Sequence, residues 1–237
     1  MRRIGVAGLV FWLAAGAAQA GAQAVVGKYA RPAPLAQYLT PCNAEIALAR
    51  SGAPAAISDH ATILVLGRHG YETAVRGTNG WVCVVERGWV APFDLAAFWN
   101  PKIRGADCLN PPAARWVVPV YTLRSRLAMA GDSIAKMIQE TAKAIRAKPL
   151  PALEPGAMGY MMGKGSYLTD QGDHNGPHLM YWVGTNNESL WGAMLSNSPV
   201  IAVNQWFTTK TREASRFPPM TIFAVPVTRW SDGTPAK

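Results

Sequence analysis

The sequence predicts an α+β fold: a three-stranded antiparallel meander and a later four-stranded antiparallel set, in a single domain with two to three helices packed on one face. Three observations predict it. Short period-two runs rich in β-branched and aromatic residues occupy 62–66, 71–76 and 81–86, the signature of half-buried strands. Apolar residues at helical spacing then fill 112–147, and period-two runs return at 157–162, 178–183, 200–207 and 220–227. Strands, then helices, then strands place the helices on one face of a sheet.

Taken in order, residues 25–40 contain Pro32 and Pro34 and form a lead-in without periodicity. Thr40-Pro41 starts a helix, with Thr40 as N-cap and proline at the first helical position, and Gly52 and Pro54 stop it after Arg50. The three strands of the meander follow, joined through Arg68-His69-Gly70 and through Gly77-Thr78-Asn79-Gly80, whose Asn-Gly pair is a hairpin signal. Trp81, Cys83 and Val85 share one face of the third strand.

Residues 92–112 read as coil with one short helical stretch at 94–99. Asn110-Pro111-Pro112 opens a helix carrying Trp116, Val117, Val120, Leu123 and Leu127, which Pro119 is expected to kink or end early. Gly131-Asp132 marks a break and a fresh N-cap. The next helix buries Ile134, Ile138, Ala142 and Ile145. The proline-rich coil 149–156 is the internal boundary between possible lobes 40–148 and 157–230. Met158, Met161, Met162, Met180 and Met194 crowd the second half, as adaptable core residues do.

Residues 1–24 read as a secretory signal peptide. Arg2 and Arg3 precede an apolar run from Ile4 to Ala18, and small-residue cleavage motifs end at Ala20 or Ala24. The run is shorter than the ~20 residues a membrane span needs, so the expectation is a periplasmic or secreted bacterial protein with no transmembrane anchor after cleavage. The remaining chain of about 213 residues is long enough for a core without staples. Hydrophobic content of 49% with 16% charged residues excludes disorder. The formal charge of +9 falls to +7 without Arg2 and Arg3, a balance that draws an exported protein toward anionic envelope components. No basic stripe with interleaved aromatics is present, which argues against nucleic acid as a partner.

Of the three cysteines, an oxidising compartment pairs two. Cys83 lies in a predicted strand and Cys108 in coil before a helix, with turn formers between them, so Cys83–Cys108 is the expected bridge, worth about 3 kcal/mol. Cys42, left over at a helix start, is read as buried and inert.

Polar chemistry concentrates in 164–184, where Asp170, Asp173, His174 and His178 fall within nine residues, next to Tyr167 and at the entrance to a strand. Tyr167, Asp170, Asp173, His174 and His178 are the candidate ligand-binding residues. His174, His178 and Asp170 are the candidate metal ligands, two imidazoles with a carboxylate being an accepted open-site composition. Gly176-Pro177 excludes a helical pair of histidines. The same residues also fit a plain turn, with His178 packed beside Met180 and Trp182, and with Asp170, Asp173 and Asn175 bonded to nearby backbone. Gly163-Lys164-Gly165 lacks phosphate-loop spacing, and no Gly-x-Ser-x-Gly occurs. Ser166 with His174 as base would be a nucleophile without a signature.

Taken together, Glu45-Ile-Ala-Leu-Ala, Gly77-Thr-Asn-Gly-Trp-Val-Cys83, Phe98-Trp-Asn-Pro101, Pro155-Gly-Ala-Met158 and Pro177-His-Leu-Met180 resemble a family of exported, uncharacterised bacterial proteins with no assigned activity. The resemblance covers about residues 42–230 and implies export and one continuous domain. Three classes of function follow from the residues: an exported protein binding a small polar ligand or metal at the Asp170/His174/His178 loop, a hydrolase using the same cluster, or an envelope-associated structural protein. In the third class Trp182, Trp191 and Trp206 would contact glycan or a partner.

Overall fold

A computed structural model describes residues 27–170, 176–185, 188–208 and 210–236. The first β-branched run forms β1 (Thr62–Gly67), which turns at Arg68-His69 into β2 (Gly70–Val75) and pairs with it antiparallel. The third run, β3 (Val82–Glu86), does not continue a meander. It pairs with β1, on the side away from β2, and runs parallel to it.

The cause is a backbone crossing at the foot of β1. A Cβ on Gly77 would lie 2.3 Å from the backbone of Ala61 and Thr62, so only glycine lets the chain pass. The Thr78 and Asn79 N–H groups donate to the His60 carbonyl at 2.8 and 3.3 Å. The Asn79 side chain donates to the Ile57 carbonyl at 2.8 Å and accepts from the Trp81 N–H at 3.0 Å. The Asn-Gly pair thus serves an underpass instead of a hairpin.

A strand appears where coil was expected: β4 (Gly105–Leu109), antiparallel to β3 with Cys83 opposite Cys108. Gly-Ala-Asp-Cys-Leu contains no β-branched or aromatic residue, so it gives little strand signal. The expected disulfide Cys83–Cys108 is present, its Cα atoms 4.0 Å apart and both residues buried. β5 (Met158–Met161), β6 (His178–Val183) and β8 (Thr221–Pro226) extend the sheet antiparallel, and β7 (Ile201–Val203) closes its edge. The strand expected over 200–207 is therefore shorter, with Gln205 turning at φ 53°. The order is β2-β1-β3-β4-β5-β6-β8-β7, so both sequence halves build one eight-stranded sheet, joined at β4–β5.

Five helices accompany it among the described residues: α1 (Cys42–Arg50), α2 (Ala55–Ser58), α3 (Pro111–Met129), α4 (Ile134–Ala147) and α5 (Thr211–Ala214). They do not all lie on one face. Ile46, Leu48 and Ala49 of α1 cover Ile63, Val65, Cys83, Val85 and Cys108. On the other face Leu64, Leu66, Val84 and Leu109 pack with Val117, Val120 and Tyr121 of α3 and Met137 and Ala142 of α4. The interiors of β1, β3 and β4 are buried on alternate residues of both faces, which demands cover on each side.

Pro119 sits inside α3 without ending it. A mid-helix proline costs about 3 kcal/mol, while burying side chains of the size of Trp116, Val117, Val120 and Tyr121 returns about 1.5–3 kcal/mol each. The caps of α1 and α4 differ from expectation, while that of α3 is as expected. Thr40 Oγ1 accepts from Arg104 Nε at 3.2 Å and Pro41 precedes α1. Asn110 caps α3, accepting from the Ala113 N–H at 3.0 Å. Ser133 caps α4, while Asp132 takes Lys136 Nζ at 2.6 Å. Residues 94–99 form turns and no helix. Cys42 opens α1 exposed, so the leftover thiol is not buried.

Candidate functional site

Strand alternation sends Val84 and Glu86 of β3, and Asp107 and Leu109 of β4, toward α3. The register sets Glu86 opposite Gly105 and Asp107 opposite Val84, which makes the two carboxyls diagonal neighbours across the pair. α3 spaces Val117, Val120, Tyr121, Arg124 and Ala128 along its buried side, and the Tyr121 hydroxyl donates to Glu86 Oε1. Gly159 of β5 completes the space: a Cβ there would come within 2.6 Å of Asp107 Oδ1 and 2.9 Å of Trp182 Cη2.

Asp107 is buried, and neither carboxylate oxygen meets an N–H or O–H donor among the described residues. Its neighbour is the Glu86 carboxyl, and a proton held between the two would satisfy both. Burial raises the Asp107 pKa well above the usual range, and the Glu86 charge adds to that. Burial also raises Glu86, opposed by the hydrogen bonds from Tyr121 and Asp107 and by the Arg124 charge. Both effects favour the proton on Asp107, next to a Glu86 carboxyl that accepts from Tyr121. Burial drives the Tyr121 phenol up as well, so it keeps its proton.

The compensating charge is Arg124, itself buried. It donates to the Val90 carbonyl at 3.2 Å and to the Ala91 carbonyl, and lies 4.0 Å from the Phe93 ring centroid. Burial lowers its pKa to about 9, which leaves it cationic at neutral pH.

His178 begins β6 with a buried side chain, its Nδ1 2.8 Å from the Gly176 carbonyl. Burial lowers its pKa, so the ring is neutral at pH 7. With Nδ1–H donating to Gly176, Nε2 is the acceptor nitrogen. Glu86, Tyr121 and His178 line a cleft of about 460 Å³ whose walls are apolar: Met180, Trp206, Ile222, and Ile201 and Val203 of β7. Ile201 and Val203 remain 49% and 38% exposed on that wall.

The expected site residues separate. Asp170 does not line this cleft. Its carboxylate accepts from Lys28 Nζ at 2.6 Å, Tyr29 Oη at 2.7 Å, Tyr167 Oη at 2.5 Å and Asn100 Nδ2 at 3.3 Å. Lys28, Tyr167 and Tyr29 together hold its pKa well below the usual carboxylate range. That arrangement clasps the lead-in segment to the body. Tyr167 also exchanges both backbone hydrogen bonds with Arg104 at 2.8 Å. Asp173 and His174 lie outside the described residues. Among those described, no three His, Cys, Asp or Glu side chains converge to hold a metal. Ser166 Oγ accepts from the Ala106 N–H at 3.0 Å in a buried position, a structural role. Trp182 and Trp206 are buried and Trp191 stacks on Phe223, so the expected aromatic contact surface is not formed by the three together.

Glu86, Asp107 and Tyr121 were not singled out from the sequence. One signal could have found them: an antiparallel Cys83–Cys108 bridge between strands fixes the pairing of 84 with 107 and 86 with 105, and so sets Glu86 beside Asp107.

The chain matches no protein-family model, no curated protein and no solved structure. No described helix is long and apolar enough to cross a membrane.

Proposed function

We propose that this is an exported bacterial envelope protein, of the kind its sequence resembles, that binds a small molecule in the cleft of Glu86, Tyr121 and His178. The observation that carries the reading is the contrast within that cleft. Its floor is lined by Glu86 and His178, whose carboxyl and imidazole can accept hydrogen bonds, while its wall leaves Ile201 and Val203 in water. An occupant with an apolar body and an amine, amide or hydroxyl head covers the wall and meets the floor, the usual composition of a small-ligand site. Export is supported by the N-terminal pattern and the disulfide, and the basic charge supports contact with anionic envelope components. The ligand-binding reading thus keeps His178 but moves away from Asp170, whose partners are all structural.

The test is a thermal-shift comparison with octylamine, octanamide and octanol on wild type, His178→Ala and Val203→Arg. A ligand of the folded state at a hundredfold excess over Kd stabilises by about 2.7 kcal/mol, or roughly 5–10 °C for a chain of this size. A rise in wild type that Val203→Arg abolishes supports the reading. No rise with any of the three, or equal rises in all proteins, overturns it.

A second reading places acid–base hydrolysis in the same cleft, because the Glu86 carboxyl and a neutral His178 imidazole line one space. Hydrolysis of a chromogenic ester or glycoside that survives both Glu86→Gln and His178→Ala would remove it.

A further inference from the structure

Eight large hydrophobic side chains are exposed among the described residues, and six of them lie between 190 and 203. Scattered exposed leucines are ordinary; a cluster is not. Ile201 and Val203 belong to the cleft wall, but Leu190, Met194 and Leu195 stand outside it at 81%, 67% and 64% exposure.

The segment that carries them is held firmly. Trp191 stacks on Phe223 with ring centroids 4.5 Å apart, and Ala193 is buried beneath the loop. The Ala193 N–H donates to the Glu188 carbonyl at 3.1 Å and the Met194 N–H to the Val200 carbonyl at 3.1 Å. Met194 adopts a positive φ of 60°, unusual for its side chain and a sign of surrounding constraint, and Asn197 turns at φ 64°, a conformation asparagine takes readily. The loop's anchors stack Trp191 on Phe223 and bury Ala193, and leave three long apolar side chains facing outward.

We propose that residues 188–195 dock on an anionic phospholipid surface, inserting Leu190, Met194 and Leu195 among the acyl chains near the headgroups. Two features select a bilayer over a protein partner. Three side chains on one short loop are a small part of the roughly 20–30 residues a side that stable protein interfaces use, whereas a membrane accepts a narrow apolar tip. The charge also suits it. Residues 188–203 carry a single charged side chain, Glu188, which is engaged by Asn204 Nδ2, while the chain without residues 1–24 carries a formal +7, the +9 of the full sequence less Arg2 and Arg3. Basic protein near an anionic leaflet gains affinity from each cation that approaches within a Debye length. Of the function proposed above, this uses only the envelope setting; the cleft ligand plays no part.

The experiment is co-sedimentation of purified protein lacking residues 1–24 with vesicles of phosphatidylglycerol and phosphatidylcholine, against vesicles of phosphatidylcholine alone. Wild type is expected to sediment with the anionic vesicles, less so in high salt. The Leu190→Ser/Met194→Ser/Leu195→Ser variant, altered only at exposed positions, is expected to partition at least tenfold less while its circular dichroism and melting stay those of wild type. Wild type remaining in the supernatant, or the variant sedimenting equally, overturns the proposal. So does size-exclusion showing a wild-type dimer that the variant converts to monomer, which assigns the patch to a second copy. A thermal shift by a cleft ligand is measured separately and survives either outcome.

Discussion

Arg87 Nη2 meets Glu45 Oε2 at 2.7 Å with both side chains sealed from water. The pair ties α1 to the end of β3, and its remaining groups are occupied. Arg87 Nε donates to the Tyr38 carbonyl at 2.9 Å and Nη1 to the Val85 carbonyl at 2.6 Å, while Glu45 Oε1 accepts from the Leu66 N–H at 2.9 Å. Two buried charges are costly, and their attraction offsets that cost only when the surrounding hydrogen bonds are complete. Removing one partner leaves the other charge buried alone. Arg87→Met is therefore expected to destabilise by about 3–5 kcal/mol in urea denaturation, and Glu45→Leu/Arg87→Met by less than the two single losses added together. Additive losses would show that the pair does not act as a unit.

The Cys83–Cys108 bridge joins directly opposed residues of β3 and β4 in the buried layer beneath α1. Its stabilisation comes mainly from restricting the unfolded chain, so Cys83→Ala is expected to lower stability by about 2–4 kcal/mol. Peptide mass mapping of unreduced protein is expected to find Cys42 unpaired, in keeping with its exposure. A bridge from Cys42 to either partner would contradict the structure.

Gly77→Ala tests the underpass. The atoms that the new Cβ would meet at 2.3–2.5 Å are all backbone, of Ala61, Thr62 and His60, and backbone cannot swing aside as a flexible side chain can. The clash is expected to cost more than the 1–3 kcal/mol typical of overpacking, lowering the melting midpoint, whereas Gly176→Ala, with open space around it, is expected to leave it unchanged.

These elements show what the sequence made legible. His178–Val183 and the amphipathic Ile134–Ala147 declare themselves because their apolar residues repeat with one period over the whole element, and Thr62–Gly67 because it is a short aliphatic, β-branched run bounded by turn residues. The direction of β3 did not, since Asn79-Gly80 satisfies local turn chemistry equally in a hairpin and in a crossing; the distinction lies in Gly77, which matters only through contact with Ala61 and Thr62. β4 escaped because its strand character comes from neighbours on both edges and not from its own residues. The site was harder still. Asp170 looked functional for being near histidines in sequence, yet its partners Lys28, Tyr29 and Asn100 are 142, 141 and 70 residues away. Glu86, Asp107 and Tyr121 come from three elements, and only the pairing implied by the disulfide connects the first two.

The buried carboxyl pair leads to a prediction about pH whose sign is opposite to that of most carboxylates. A group whose pKa is raised by folding binds its proton more tightly in the folded state, so its stabilising contribution is complete below the unfolded value and is lost as pH rises through the folded one. Burial, with Glu86 as neighbour, raises Asp107 from 3.8, so the loss begins above that pH and continues to the raised pKa. His178 behaves in the reverse way: burial lowers it from 6.5, so its neutral form supports the fold above that value, and stability falls as acid drives a proton onto it. Asp107→Asn keeps the shape and supplies a permanent N–H donor to Glu86, removing the titration. Urea midpoints measured from pH 4 to pH 9 are expected to show wild type losing stability relative to Asp107→Asn as pH increases, with the gap widest at the alkaline end. Parallel curves for the two proteins would mean that Asp107 titrates alike in the folded and unfolded chains, and that Glu86 and Asp107 do not share a proton.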